Sequence, residues 1–261
     1  MKMRNLGFII LCGLLALLIG AFNVSAEEEK PTASADIGFL TKYVWRGFEL
    51  SDDSVVIQPS ATVGYKGFGF NLWGNLDTDV PGPSDDAKWN ETDMTLSYDT
   101  SFGPVGVGVG YIYYALDGLD DAEEFYITAS LDVFLSPTLT AYREVAELQG
   151  WYINLGISHS FELPKGISLD LAGSVAYYLS EDDIFVEIDD NLNPTNNKYK
   201  NLHDGQISVG LTIPVGQYMV VNPMIAYSFP LSDEADNLIT AGSISNDSDF
   251  LFGGVTLSLA F

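Results

Sequence analysis

Apolar residues alternate with small or polar ones at period two through most of this chain. In PVGVGVGYIYY, Val105, Val107, Val109, Tyr111 and Tyr113 share one face, and Gly106, Gly108, Gly110, Ile112 and Tyr114 share the other. In GWYINLGISHSF, Trp151, Ile153, Leu155, Ile157 and Phe161 oppose Tyr152, Asn154, Gly156, Ser158 and Ser160. GISLDLAGSVAYYL sets Ile167, Leu169, Leu171, Val175 and Tyr177 against Ser168, Asp170, Ala172, Ser174 and Tyr178. This is the pattern of strands, each with one greasy face and one small, polar face.

About twelve such segments recur, centred on 36–46, 58–65, 68–77, 92–98, 105–114, 125–134, 138–143, 150–161, 167–179, 206–213, 219–229 and 251–261. Their lengths suit strands that cross a bilayer at a tilt. The links between them alternate in length. KG, DTSFGP, LSP, ELPKG and PVGQ are short. GFELSDDSVVI, TDVPGPSDDAKWNE, ALDGLDDAEE, REVAELQ, SEDDIFVEIDDNLNPTNNKYKNLHD and PLSDEADNLITAGSISND are long. The alternation predicts an all-β fold: a transmembrane antiparallel up-and-down β-barrel of about 12 strands, with short periplasmic turns, long acidic extracellular loops and both termini periplasmic. The competing reading is a soluble sandwich, which also buries one face of each strand.

In LFGGVTLSLAF, Leu251, Val255, Leu257, Leu259 and Phe261 hold the apolar phase. A last strand ending on an outward aromatic looks like the terminal signal read by the bacterial outer-membrane assembly machinery. Tyr43, Tyr65, Tyr98, Tyr111, Tyr113, Trp151, Phe161, Tyr177, Tyr227 and Phe261 fall near segment ends, where amphipathic rings form the two girdles of a membrane barrel.

Composition narrows the partners. With 36 Asp plus Glu against 11 Lys plus Arg, nucleic acid and anionic head groups are not expected as main partners. At 47% hydrophobic and 18% charged, the chain is nonetheless no disordered acidic tail. Lys2 and Arg4 precede an apolar run over 6–22, and NVSA then offers a cleavage site after Ala26. Residues 1–26 read as a cleaved secretory signal peptide and 27–261 as a single outer-membrane barrel; an uncleaved anchor helix is the alternative. Cys12, the one cysteine, lies within the signal and follows Leu11, so lipidation is not expected and the mature chain has no thiol chemistry.

KYVWRGFELSDDSVVIQPSATVGY, with LSPTLTAYREV and QGWYINLGISHSF, resembles the TorF-type porin family of Gram-negative outer-membrane proteins, in which a Tyr-Val-Trp/Phe-Arg-Gly stretch ends the first strand. The resemblance implies a secreted outer-membrane barrel with pore activity and names no substrate.

The polar phase would line a lumen. Asp36, Lys42, Arg46, Asp77, Asp93, Asp132 and Asp170 are its candidate charged residues, among many Ser, Thr, Asn and Gly. Carboxylates outnumber cations there, which favours passage of cations or small polar solutes. Lys42 and Arg46 are expected to close the first strand on the inner phase, with Arg46 forking to carboxylates of neighbouring strands at the outer rim. The acidic loops could bind divalent cations, although none matches an EF-hand, and no cofactor or metal site is expected. SHS at 158–160 is no catalytic pair, because His159 points away from both serines, and no enzyme activity is expected. A monomer is expected, with membrane lipid and small solutes as its other partners. The remaining alternative is a non-transporting surface barrel that binds a partner through its long loops.

Overall fold

The computed structural model describes residues 30–80, 86–183 and 185–261; the expected signal segment, Cys12 and part of the loop after the third segment lie outside them. Numbered in chain order with four short strands included, the barrel comprises β1 (Thr32–Leu40), β4 (Val56–Tyr65), β5 (Phe68–Asp77), β6 (Lys88–Phe102), β7 (Val105–Leu116), β8 (Ala122–Leu131), β9 (Thr138–Glu144), β10 (Gly150–Glu162), β11 (Ser168–Ser180), β14 (Lys200–Val215), β15 (Met219–Pro230) and β16 (Phe250–Ala260). These twelve strands form a closed antiparallel meander. Closure is made by β1 with β16, from Ser34↔Ala260 to Leu40↔Gly254. The main sheet therefore leaves no open edge, which is the condition for strands to sit in hydrocarbon.

The alternation decides what each face meets. Val63, Phe70, Leu96, Ile127, Leu155, Val209 and Leu251 lie on the outside and are exposed. Such a belt around the whole barrel far exceeds the apolar patch a soluble monomer exposes. A soluble sandwich would have buried these residues. At the short-turn end, rings gather in pairs: Phe68 with Tyr98 at 4.8 Å, Phe134 with His159 at 4.7 Å, and His159 with Phe161 at 4.6 Å. His159 thus joins the outer aromatic band, while Ser160 on the opposite face donates to Asp170 at 2.6 Å.

Turns follow their residues. Lys66 and Gly67, both at positive φ (52° and 82°), make the tight link from β4 to β5. The long links all emerge at the other end, and both Thr32 and Ala260 lie at the short-turn end.

Four segments depart from the sequence expectation. The first strand does not run to Arg46: β1 stops at Leu40, and β2 (Val44–Trp45) pairs with β3 (Phe48–Glu49) as a small separate hairpin. The long link after β11 holds another hairpin, β12 (Val186–Ile188) with β13 (Pro194–Lys198). The link after β15 holds helix α1 (Asp233–Gly242), started by Ser232, whose hydroxyl accepts from the Ala235 N–H, with Asp233, Glu234 and Asp236 in the first turn. Ala235, Leu238 and Ile239 are its buried residues, at the spacing of one helix face. The segment expected to reach 134 also ends early, at Leu131, because the chain turns there and the Asp132 N–H donates to the Pro104 carbonyl at 2.7 Å.

Candidate functional site: a lumen closed by its first long loop

The inward phase divides the lumen into two zones. In the short-turn half it is small and hydrophilic. Asp170 accepts from Ser160, Ser168 (3.1 Å) and Thr212 (2.8 Å), Ser60 donates to Asp36 at 3.3 Å, and Thr128 and Thr140 pair across strands at 2.9 Å. A recess of about 240 Å³ opens along β9, β10, β11 and β14, lined by Thr138, Gly156, Ser158, Ser174, Gln206 and Ser208 among others. Hydroxyls and amides of this kind hold water and do not pack dry.

In the long-loop half the inward residues become large: Trp73 on β5, Tyr114 on β7, Tyr142 on β9, Tyr152 on β10, Tyr178 on β11, and Phe250 and Phe252 on β16. The hairpin β2–β3 fills the space among them. Tyr43 meets Trp73 with ring centroids 5.8 Å apart, Trp45 meets Tyr114 at 6.3 Å, and Phe48 meets His203 of β14 at 5.3 Å. Contacts from β5 round to β14 place the hairpin across the lumen and not on its rim. Phe48, Tyr152, Tyr178, Tyr199, Leu238, Ile239 and Phe252 share one apolar cluster, so α1 packs down on the same plug.

Local chemistry explains why the chain turns inward. Arg46 (φ 49°) and Gly47 (φ 85°) supply the two positive φ values of a tight hairpin turn between Trp45 and Phe48. A Cβ on Gly47 would lie 2.9 Å from Ile239 Cδ1 and 3.1 Å from Asp204 Cβ, so both conformation and space demand glycine. The Tyr43 N–H donates to Ser51 Oγ at 2.8 Å, and the Glu49 N–H donates to Ser243 Oγ at 3.1 Å. Each end of the hairpin is thereby tied to a loop.

Arg46 stands at the tip of this hairpin. Its Nη1 and Nη2 donate to Glu124 Oε1 and Oε2, both at 2.7 Å, in a fork-to-fork pair with side chains only 8% and 2% exposed. The guanidinium carbon lies 4.4 Å from the Trp45 ring centre, 4.4 Å from that of Tyr152 and 4.7 Å from that of Tyr142. Tyr114 donates to Glu124 Oε2 at 2.8 Å, and Tyr152 donates to Asp204 at 2.9 Å, so the wall groups are themselves held. Burial opposes the charge on Arg46, yet the Glu124 carboxylate outweighs it and raises the arginine above its ordinary value. The Arg46 carbonyl can only accept, so His203 Nε2 donates to it at 3.0 Å and Nδ1 accepts from Tyr199 at 2.9 Å. Lys42 bonds Glu49 and Asp53 of its own loop; burial disfavours its charge, and these two carboxylates more than compensate, raising its pKa.

The fold is shared with a solved porin. The NanC porin matches over 87% of this chain and 98% of its own, with a TM-score of 0.54 and 10% identity. The translocator domain of the autotransporter NalP from Neisseria meningitidis matches over 98% of this chain and 96% of its own, with a TM-score of 0.39 and 11% identity. An anion-selective porin from Comamonas acidovorans gives 0.36 at 10% identity over 89% of this chain and 99% of its own. No family model matches the sequence. No curated protein matches it either. At 10% identity the likeness to the NanC porin is one of fold.

The residues picked out from sequence do not gather in one place. Asp36 and Asp170 face the polar half. Asp93 lies opposite Tyr114 in the register, beneath the plug. Asp77 is buried at the long-loop end, where it accepts from Ser54. Asp132 is exposed in the turn after β8, off the barrel wall. Lys42 and Arg46 belong to the plug loop and not to a wall strand. Glu124, Tyr114, Tyr142, Tyr152 and His203 escaped the sequence reading as a group. For the first four the one legible signal was the inward phase of β7 to β10, whose long-loop ends carry aromatic and acidic residues where the short-turn ends carry Gly, Ser and Thr; His203 lies on β14.

Proposed function

We propose that this chain is an outer-membrane pore protein for passive movement of cations or small polar solutes, with the loop over residues 41–55 as its constriction. The observation that carries the reading is the two-zone lumen: a hydrophilic vestibule that ends on a plug whose apolar cluster around Phe48 is crossed by a buried ion pair and side-chain hydrogen bonds. A barrel serving only as a scaffold gains nothing from a water-compatible interior.

The charge on the wall supports a cation preference. Asp36 and Asp170 face the vestibule, and the buried carboxylates of the long-loop half include Asp77, Glu91, Glu124, Glu144 and Asp204, against Lys42 and Arg46 on the plug. On this reading the short turns and both termini face the periplasm, the acidic loops face outward, Phe261 serves assembly, and the barrel works as a monomer. The stretch Lys42–Tyr65 keeps the TorF-type porin family as the proposed relation. Single-channel recording under a potassium chloride gradient, paired with liposome swelling by sugars and amino acids, tests the function. Cation-selective conductance is the expected result, and a folded barrel with no conductance after removal of the plug would overturn it.

A second reading, a permanently closed surface barrel, draws on the extent of the plug, which meets strands from β5 to β14. Removing the plug separates the two, because a permanently closed barrel has no reason to keep a selective vestibule.

A further inference from the structure

The surroundings of Arg46 have the form of a ligand cage. Glu124 turns both carboxylate oxygens to the Arg46 guanidinium, each 2.7 Å from one terminal nitrogen. A fork of this geometry suits a planar cation with two parallel N–H donors, and an inorganic monovalent ion cannot use it in that way. Tyr142 and Tyr152 present their rings within 4.7 Å of the charge centre. Tyr114 fixes one oxygen of Glu124, and Asp204 fixes the Tyr152 hydroxyl.

Nearly all of the cage belongs to the wall. Tyr114, Glu124, Tyr142 and Tyr152 come from the contiguous strands β7, β8, β9 and β10, and only Trp45 arrives with the hairpin. Withdrawing the hairpin therefore leaves an assembled carboxylate and two tyrosine faces in the lumen, with Arg46 gone from among them. Lys42 cannot replace Arg46, since it is held by Glu49 and Asp53 within the withdrawn loop. With the hairpin withdrawn the Glu124 carboxylate opens onto the lumen, where a cationic solute with two parallel N–H donors can take up the charge-assisted fork that Arg46 made.

We propose that the Glu124 cage is a binding site for guanidinium- or amidinium-bearing organic cations moving through the lumen, and that Arg46 occupies it from within the chain when the barrel is closed. This rests on the pore reading and adds to it a solute class and a trigger. A free guanidinium competes with Arg46 for Glu124, so binding of solute and release of the plug are the same exchange. Arg46 competes as a tethered group, at an effective concentration on the order of millimolar. Removing its guanidinium should thus unmask binding that the intact chain largely hides.

Calorimetric titration of the full-length barrel in detergent with methylguanidinium tests the site without requiring conductance. Arg46→Ala should bind at least about tenfold more tightly than the unaltered chain. The double variant Arg46→Ala, Glu124→Gln should lose that binding, and potassium at equal concentration should not compete. Equal binding by Arg46→Ala and the unaltered chain, or binding indifferent to Glu124→Gln, would overturn the proposal. Where Arg46→Ala does not fold, Arg46→Gln is refolded with and without a few millimolar methylguanidinium. Recovery of heat-modifiable folded barrel only with the ligand supports the site, and no recovery overturns it. A barrel that binds methylguanidinium yet conducts nothing sinks the pore and keeps the site; a barrel that conducts without binding does the reverse.

Discussion

Glu124→Gln is the substitution that most directly loads the contact between plug and wall. It keeps the volume of the side chain and one acceptor oxygen, but it removes the charge that faces Arg46 and replaces the second acceptor with a donor aimed at another donor. Both side chains are almost wholly buried, so water cannot restore what is lost. Leaving one member of a buried, hydrogen-bonded pair uncompensated costs about 3–5 kcal/mol. The cost falls on docking of the hairpin and not on the barrel, because Glu124 is an inward residue whose strand keeps its register with β7 and β9. Divided by the ~1.4 kcal/mol that corresponds to each factor of ten, this shifts the closed-to-open ratio by roughly a hundredfold to a few thousandfold. Two assays read the shift. Open probability in planar bilayers should rise, and trypsin, which needs an accessible arginine, should cut the folded protein after Arg46 far faster than it cuts the unaltered chain. Unchanged conductance together with unchanged resistance at Arg46, in a variant that still shows heat-modifiable mobility, would refute a plug held by this ion pair.

Gly47→Ala places a side chain at φ 85° and 2.9 Å from Ile239, so about 1–2 kcal/mol of backbone strain is added to a steric shift, and amide exchange over residues 44–49 should accelerate while the wall strands stay protected. The raised pKa of Lys42 gives the internal order of the plug loop, and through it the closed state, a sign with pH: its contribution is complete below the ordinary lysine value of 10.5 and is lost as pH climbs through the higher folded value. Conductance should therefore not change with pH across the neutral range and should increase only in alkaline buffer, and a Lys42→Gln variant should show the higher level at every pH, with no alkaline rise. Deleting Phe261, whose ring stacks on Tyr218 with centroids 6.3 Å apart at the short-turn end, should lower the yield of assembled barrel in cells more than the stability of barrel refolded in detergent.

The barrel was readable because its cause is local. Each wall strand must turn one side chain out and the next one in, so the alternate positions Val105, Val107 and Val109, or Val255, Leu257 and Leu259, announce the outer face without knowledge of any neighbour. The alternation of short and long links was equally direct, and it is seen in the Lys66–Gly67 turn against the long loop from 231 to 249. The plug was not readable in the same way. The residues Val44 to Glu49 have the same aromatic and β-branched character as a wall strand, and the first segment, read as 36–46, ran into them as far as Arg46. What distinguishes them is the turn at Arg46 and Gly47, where a glycine between aromatic stretches signals a reversal as readily as an exit. Helix α1 was hidden for a related reason: PLSDEADNLITAG reads as an acidic loop by composition, although Ser232 with acids in the next turn is a helix start. The Arg46 cage depends on residues from four strands and one loop, 78 positions apart between Arg46 and Glu124, and no short-range pattern joins them.

A displaceable hairpin that closes an otherwise hydrophilic lumen has one direct test: single-channel conductance of the intact barrel beside a variant in which residues 42–53 are replaced by a short Gly-Ser link between Thr41 and Ser54. Low or intermittent conductance is expected from the intact barrel, and a larger, steadily open, cation-selective conductance from the variant. Equal conductance in the two, with both proteins folded, would contradict closure by the hairpin.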